Sequence, residues 1–451
     1  MVLSEVHHTD PISMTEAIAR FAVGTRGDDI PESARHIVRL SLLDWVAVAF
    51  AGQDEPVSRI VRKLVADEAG AAEATVIGHD AKLPTRAAAL ANGATAHALD
   101  YDDTHFIHLG HPSAVVMAAT LALAEKTGAR GAEVLDAALI GVETGCRIGA
   151  WLGREHYRHG FHQTATTGSF GAAMAAARLL GLDEERTRHA IGLASTRTSG
   201  LKSQFGTMGK PYHAGMAAAN GVEAALLAAA GFVSRPDGLE CAQGFGETHA
   251  GAANDPAAVL DGLGSEFIFE AVQHKFHACC HGTHAALEAL TEARDEHGLA
   301  PDDVRSVEVT VNPGYLTVCN IQEPSTGLEA KFSYRLTSAM ALAGMDTGAL
   351  STFSAEACAD PELVSLRDRV SVATDANMPD TAATVRIERV SGGPLEVHHD
   401  IATPLDASVR EAKVRAKAAS LLGEERVASC WETIGALGSS DAAFELKVLT
   451  G

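Results

Sequence analysis

Cations are the minority in this chain: 36 Lys and Arg stand against 58 Asp and Glu, a formal net charge of −22. Such a field repels polyphosphates and anionic lipid, which argues against nucleic acid or an anionic membrane as partner. Aromatics are only 5% of residues, while Ala and Gly dominate, a balance suited to closely packed helices. No uninterrupted apolar run is long enough to span a bilayer, and no membrane partner is expected. No N-terminal segment has the charged-then-apolar layout of a secretory leader. The seven cysteines are odd in number and lack CxxC pairing, so they are expected to be reduced thiols in a cytoplasmic protein. Neither GxxxxGK[ST] nor a strand–helix GxGxxG occurs, so the usual phosphate and dinucleotide cradles are missing.

What remains is 46% hydrophobic over 451 residues, an ordinary globular composition with room for two or three domains. Residues 33–51, 85–99, 114–127, 131–149, 168–180, 184–194 and 214–230 carry apolar residues at helical spacing between Gly and Pro breaks. Stretches such as GAAMAAARLLG are apolar on nearly every side, which places them inside a helical assembly. The texture changes after about Gly264. SVEVTVN at 306–312 alternates polar and β-branched residues, and 370–373 and 383–390 read the same way. Helices at 283–296 and 332–342 accompany these strands, and 408–422 and 427–437 are helical again. The expected organisation is mainly α: a large all-helical domain at 1–265, a smaller α+β domain at 266–395, and C-terminal helices at 396–451 packing back on the first.

Chemistry gathers in four segments. ALDYDDTHFIHLGHPS at 98–113 holds Asp100, Asp102, Asp103, Thr104, His105, His108 and His111 between two Ala-rich helices. A general base needs reach and a pKa near neutrality, and Asp beside His on a loop offers both. Pro112 suits a first helical turn, which puts His111 at a helix N-terminus, where imidazole is favoured neutral and N–H groups face an anion. The bland alternative is a solvated acidic loop whose Asp and Thr cap helices.

YRHGFHQTATTGSFG at 157–171 sets Tyr157, His159 and His162 beside a helix-opening run; the alternative is a polar connection. GLKSQFGTMGKPYHAG at 200–215 sets Lys202, Lys210 and His213 among glycines that let backbone approach a ligand. Lys210 precedes Pro211 and is expected to be extended. HKFHACCHGTH at 274–284 holds Lys275, four histidines and Cys279–Cys280. It lacks HExxH spacing, and adjacent cysteines rarely form a structural zinc pair. A Cys nucleophile with His277 or His281 as base is a further possibility for that segment. Arg86, Tyr315 and Lys331 are lesser candidates.

Together, LLDWVAVAFAG, NGATAHALDYDDTH, HPSA, GFHQTATTGSFGAA, FGTMGKPYHAG and GLEAKFS resemble, in order and over nearly the whole chain, the MmgE/PrpD family. That family includes 2-methylcitrate dehydratase, cis-aconitate decarboxylase and iminodisuccinate epimerase. The resemblance implies a large helical domain, a smaller α+β lid, a homodimer, a site between the domains, and chemistry at a carbon beside a carboxylate without metal or organic cofactor. It maps the family's site to Asp100, Thr104, His111, His162, Lys210, Lys275 and Tyr315. One departure stands out: the family often reads K-x-[YF]-P, whereas His277 and Ala278 follow Lys275 and Phe276 here. Together with DYDDTHFIHLGHPS and HYRHGFHQTA, it makes the chain look most like the epimerase branch.

The expected function is therefore proton abstraction beside a carboxylate of a small di- or tricarboxylic acid. Epimerisation of an iminodisuccinate-like substrate is preferred over dehydration or decarboxylation. Asp100, His111, Tyr157, His162 and Lys210 form the catalytic set. Arg86, Thr104, Lys202, Lys275, His277 and Tyr315 form the substrate-binding set. The partner is a small anionic carboxylate. A metal-dependent hydrolase and a non-catalytic helical binding protein are the rivals from other classes.

Overall fold

The computed structural model describes residues 13–250 and 253–449. The chain divides into two compact units. One holds the described residues up to Ala98, then Thr104–Val272, then those from Ser429 onward; the other holds Leu99–Asp103 and Gln273–Ala428.

The first unit is built from helices, as its apolar periodicity requires. Pro112–Thr127 is buried over nearly its whole length, with Pro at its first turn and Gly128 closing it in the left-handed region (φ 67°). It packs with Thr85–Ala96, Gly131–Arg158, Gly168–Leu179 and Gly209–Ala229. Two of these helices meet backbone to backbone. A Cβ on Gly93 would lie 2.8 Å from the Gly215 Cα, and one on Gly215 would run into the Leu90 carbonyl oxygen. Only glycine permits that approach.

Gly131–Arg158 runs well past residue 149, where a helix end was expected, and kinks at Gly153 (φ 68°, ψ −171°). The buried pair Arg147–Glu143 (2.7 Å) secures the chain leaving this unit. Glu143 accepts from the Ile268 and Phe269 N–H groups, and Arg147 donates to the Val259, Asp261 and Glu266 carbonyls.

The second unit carries a four-stranded sheet ordered β2-β1-β3-β4: β1 Val304–Val311, β2 Val370–Thr374, β3 Ala382–Arg389 and β4 Leu395–Asp400. β2 is parallel to β1, and the two later pairings are antiparallel. Val307, Val309 and Val311 are buried, as the alternation of SVEVTVN demands, and Val304 is buried beyond an irregularity in the pairing with β3. Helices His284–His297 and Tyr334–Leu342 pack against this sheet.

Strand β4 was not expected. Its sequence, LEVHHD, is polar because it is an exposed edge paired only with β3. Two boundaries also move. The division falls after Val272, not at 265, and helix Ala407–Leu422 groups with the second unit; of the tail, only the described residues from Ser429 onward group with the first. No described helix is long and apolar enough to cross a membrane. All seven cysteines are free thiols.

Candidate active site

In the first unit, helix ends deliver imidazoles to one place. His97 is the C-cap of Thr85–Ala96, His111 the N-cap of Pro112–Thr127, and His162 the N-cap of Gln163–Thr166; His213 lies in Gly209–Ala229. The His97 ring is 4.5 Å from His111 and 5.9 Å from His162, and His162 is 5.4 Å from His213. The Nδ1 atoms of His162 and His213 are 3.1 Å apart, so one donates and the other accepts. All four are buried. Burial first, then the charge of Lys210 and the neighbouring imidazoles, push His162 well below the ordinary histidine value. Burial, His97 and Lys210 lower His213 as well. His162 is therefore neutral at neutral pH and able to take a proton.

Lys210 is helical, not extended. It occupies the first turn of Gly209–Ala229, where Pro211 costs no intrahelical hydrogen bond because those N–H groups have no partner within the helix. A cation there opposes the helix dipole, and an anion would relieve that. Its charge reaches both His162 and His213.

The 104–111 stretch is no solvated acidic loop. His105 and His108 are fully buried, held at about 4 and about 3, with burial the leading cause for each. His105 Nε2 meets the Ile268 carbonyl at 2.8 Å, which requires the N–H tautomer there. The His108 side chain packs where a Cβ on Gly149 would stand, 2.6 Å from its ring. The His111 N–H donates to Thr164 Oγ1 at 3.0 Å. Thr104 is half-buried at the start of this stretch.

Other candidates fall elsewhere. Lys202 Nζ sits 3.6 Å from the Tyr157 ring centroid and donates to the Tyr157 carbonyl at 3.3 Å, a cation–π pair at the edge of the His162 segment. Arg86 is half-exposed and meets Glu223 at 3.7 Å. It starts the helix that His97 ends, about 16 Å away along the axis, so it does not join the imidazoles.

In the second unit, Lys275 is 2% exposed and donates to the Asp100 carbonyl at 2.5 Å and to its Oδ1 at 3.2 Å. Burial pushes Lys275 down, but the charges of Asp100, Asp102 and Cys280 outweigh it and raise it overall. Asp100 has φ +51°, a left-handed conformation that Asp tolerates better than most residues. The Tyr101 hydroxyl donates to the Gly348 carbonyl (3.0 Å) and reaches the Phe276 carbonyl (3.3 Å). His277 Nδ1 contacts Thr347 Oγ1 at 2.7 Å, and its Nε2 faces Glu288 at 3.6 Å. Burial raises Glu288, yet His277 and Lys413 bring it down to about 2. His284 Nε2 turns to the Cys279 carbonyl at 3.4 Å. His277 and His284 thus have protein partners rather than converging as metal ligands. Tyr315 donates to the Asp380 carbonyl at 2.8 Å, and its ring packs on Gly282.

Sequence reasoning missed His97 as a site residue and left His213 outside the final set. The signal for His97 was its place three residues before Asp100, at the end of a helix otherwise made of small residues.

A helical unit that converges imidazoles on a cation, with a second unit holding a buried Lys–carboxylate pair, suits anionic substrates and proton transfer. The comparisons name the class. Residues 16–256 match the MmgE/PrpD N-terminal domain and 277–433 the MmgE/PrpD C-terminal domain. This chain belongs to the MmgE/PrpD family. Among curated relatives, it is 33% identical over 291 residues to cis-aconitate decarboxylase of Aspergillus terreus, covering 61% of this chain and 59% of that protein. It is 31% identical over 293 residues to the cis-aconitate decarboxylase-like protein oryM of Aspergillus oryzae, covering 62% and 61%. It is 30% identical over 244 residues to human cis-aconitate decarboxylase, covering 53% and 50%. The matches thus span between half and three-fifths of these relatives' lengths.

Proposed function

We propose that this chain is a cofactor-independent lyase that removes CO2 from a small unsaturated tricarboxylic acid of the cis-aconitate kind. The observation carrying this reading is the buried cluster of neutral imidazoles around His162 beside Lys210; the named relatives support the choice of substrate. Loss of CO2 from an allylic carboxylate releases an electron pair. The double bond passes that pair to a carbon beside a second carboxylate, and this carbon then needs a proton. Each unit carries a lysine, Lys210 in the first and Lys275 in the second, able to offset carboxylate charge of the kind the enolate-like intermediate develops. His162 handles protons in the first unit. Decarboxylation calls for a proton donor and no base; the epimerase alternative would need a base, a role for which neutral His162 is suited.

A second reading, epimerisation of an iminodisuccinate-like acid, is favoured by one observation: His277 and Ala278 replace the aromatic and proline that often follow the family's lysine. The homodimer and the cytoplasmic setting belong to the same proposal.

NMR of the protein with a panel of citrate- and aspartate-derived acids in D2O, with and without chelator, tests the assignment. Chelator-resistant CO2 release with one deuterium entering the product is expected. Deuterium uptake at an α-carbon with every carboxylate retained establishes the epimerase instead, and loss of water establishes a dehydratase. Lys210→Ala should lower turnover at least about 10²-fold with the fold intact; near-normal turnover overturns the assignment.

A further inference from the structure

Cys280 is not used by the mechanism above, yet its surroundings are those of a working thiol. The Cys319 thiol hydrogen-bonds to it, the Gly282 N–H does the same, and the Lys275 ammonium acts on it electrostatically. Its own N–H donates to the Lys331 carbonyl at 3.0 Å, fixing the backbone at this point. Tyr315 closes on the same spot: a Cβ on Gly282 would stand 2.5 Å from Tyr315 Cε1 and 3.2 Å from the Cys319 sulfur. The Tyr334 hydroxyl donates to the Gly282 carbonyl at 2.7 Å, and burial first keeps that phenol protonated. Of the residues expected in the site, Lys275 thus acts on the Cys280 sulfur, and Tyr315 packs on Gly282, whose N–H bonds to it.

We propose that Cys280 is a catalytic residue of the second unit, the general acid whose thiol returns a proton to the substrate carbon. This rests on the reading that Lys275 holds a substrate carboxylate. In the step, the S–H bond breaks and a C–H bond forms with the electron pair left by CO2. The resulting thiolate is held by the Cys319 thiol, the Gly282 N–H and Lys275, then regains a proton from solvent.

The neighbouring thiol shows the contrast. Cys279 bonds to Thr283 Oγ1 at 3.0 Å, and burial pushes it up to about 12. Cys280 is drawn down to about 7, first by Cys319 and then, against burial, by Lys275. Acids work best with a pKa near the operating pH. Both thiols feel Lys275, but only Cys280 has the Cys319 thiol and the Gly282 N–H on its sulfur, whereas burial dominates at Cys279.

Timed alkylation of the full chain with iodoacetamide at several pH values, mapped by peptide mass spectrometry, tests the proposal without relying on turnover. Cys280 should react first, with half-maximal rate near pH 7, and cis-aconitate should slow it. Lys275→Ala should move that midpoint upward. Cys280→Ser should lower kcat about 10²-fold or more and remove the corresponding limb of the pH profile; Cys280→Ala serves if serine misfolds. A Cys280 that reacts only with an alkaline midpoint overturns the proposal. So does a serine variant within about twofold of the parent kcat. Loss of the function reading looks different: no acid in the panel is turned over, and none slows alkylation, while the neutral midpoint survives. That result removes the catalytic role of Cys280 as well.

Discussion

Both units bury ionisable groups, yet the histidines of the first and Lys275 of the second end in opposite charge states. In the first, burial leads at His105, His108, His156 and His162 and drives all four toward the neutral form, with Lys210 adding to it at His162. In the second, burial is again the largest single influence on Lys275, but Asp100 and Asp102 reverse the outcome and the ammonium stays charged. Desolvation sets the cost of charge; the partner decides whether that cost is met. The buried imidazoles of the first unit are thus proton acceptors, while Lys275 of the second is a fixed cation.

The largest test removes the partner-held charge. Lys275→Met should lower kcat about 10²- to 10³-fold by steady-state assay. It should also raise the rate at which the Asp100 segment exchanges its amide protons, since φ +51° there loses its tether. Next, His162→Gln should lower turnover about 10²-fold or more while leaving thermal stability close to the parent, because glutamine keeps a polar group against His213 but cannot carry the proton.

A third test uses pH. His105, His108 and His156 have folded values of about 4, 3 and 4, below the ordinary 6.5. Their contribution to stability is complete above pH 6.5 and is lost as pH falls toward those folded values. Each adds at most about 1.4 kcal/mol per pH unit in that window. Urea titrations should show a steep acid limb, and His108→Gln should flatten it. Lys275 has the opposite sign: its raised value places its loss of stability on the alkaline side, above pH 10.5. The smallest effect is expected at Arg86. Its half-exposed pairing with Glu223 should make Arg86→Ala change kcat/KM less than about threefold; a large loss would bring that helix end into the site.

Much of this was legible from residue order. Helix Pro112–Thr127 announces itself by Pro at its start, Gly at its end and apolar residues between. Lys210, His162 and Lys275 stand out because cations and imidazoles interrupt apolar or glycine-rich sequence. Strand β4 was hidden because an edge strand need not alternate, and the length of Gly131–Arg158 because packing carries the helix past Gly149 and through Gly153. His97 was hidden by its surroundings: a capping histidine after small residues reads as a helix end, and only the approach of three other helices shows what it faces. The 98–113 segment reads as one patch, yet Asp100 groups with the second unit and Thr104 to His111 with the first. That division depends on contacts far along the chain, which local sequence does not carry.

The touching backbones at Gly93 and Gly215 leave no side chain between two of the helices that carry imidazoles. A joint without side chains has no rotamer to adjust, so it transmits displacement instead of absorbing it. The exposed 201–208 loop leads directly into the helix that carries His213, and the joint sets that helix against the one His97 ends. Substrate arriving near Lys210 would be felt at both rings, as a load on one end of a rigid coupling is felt at the other.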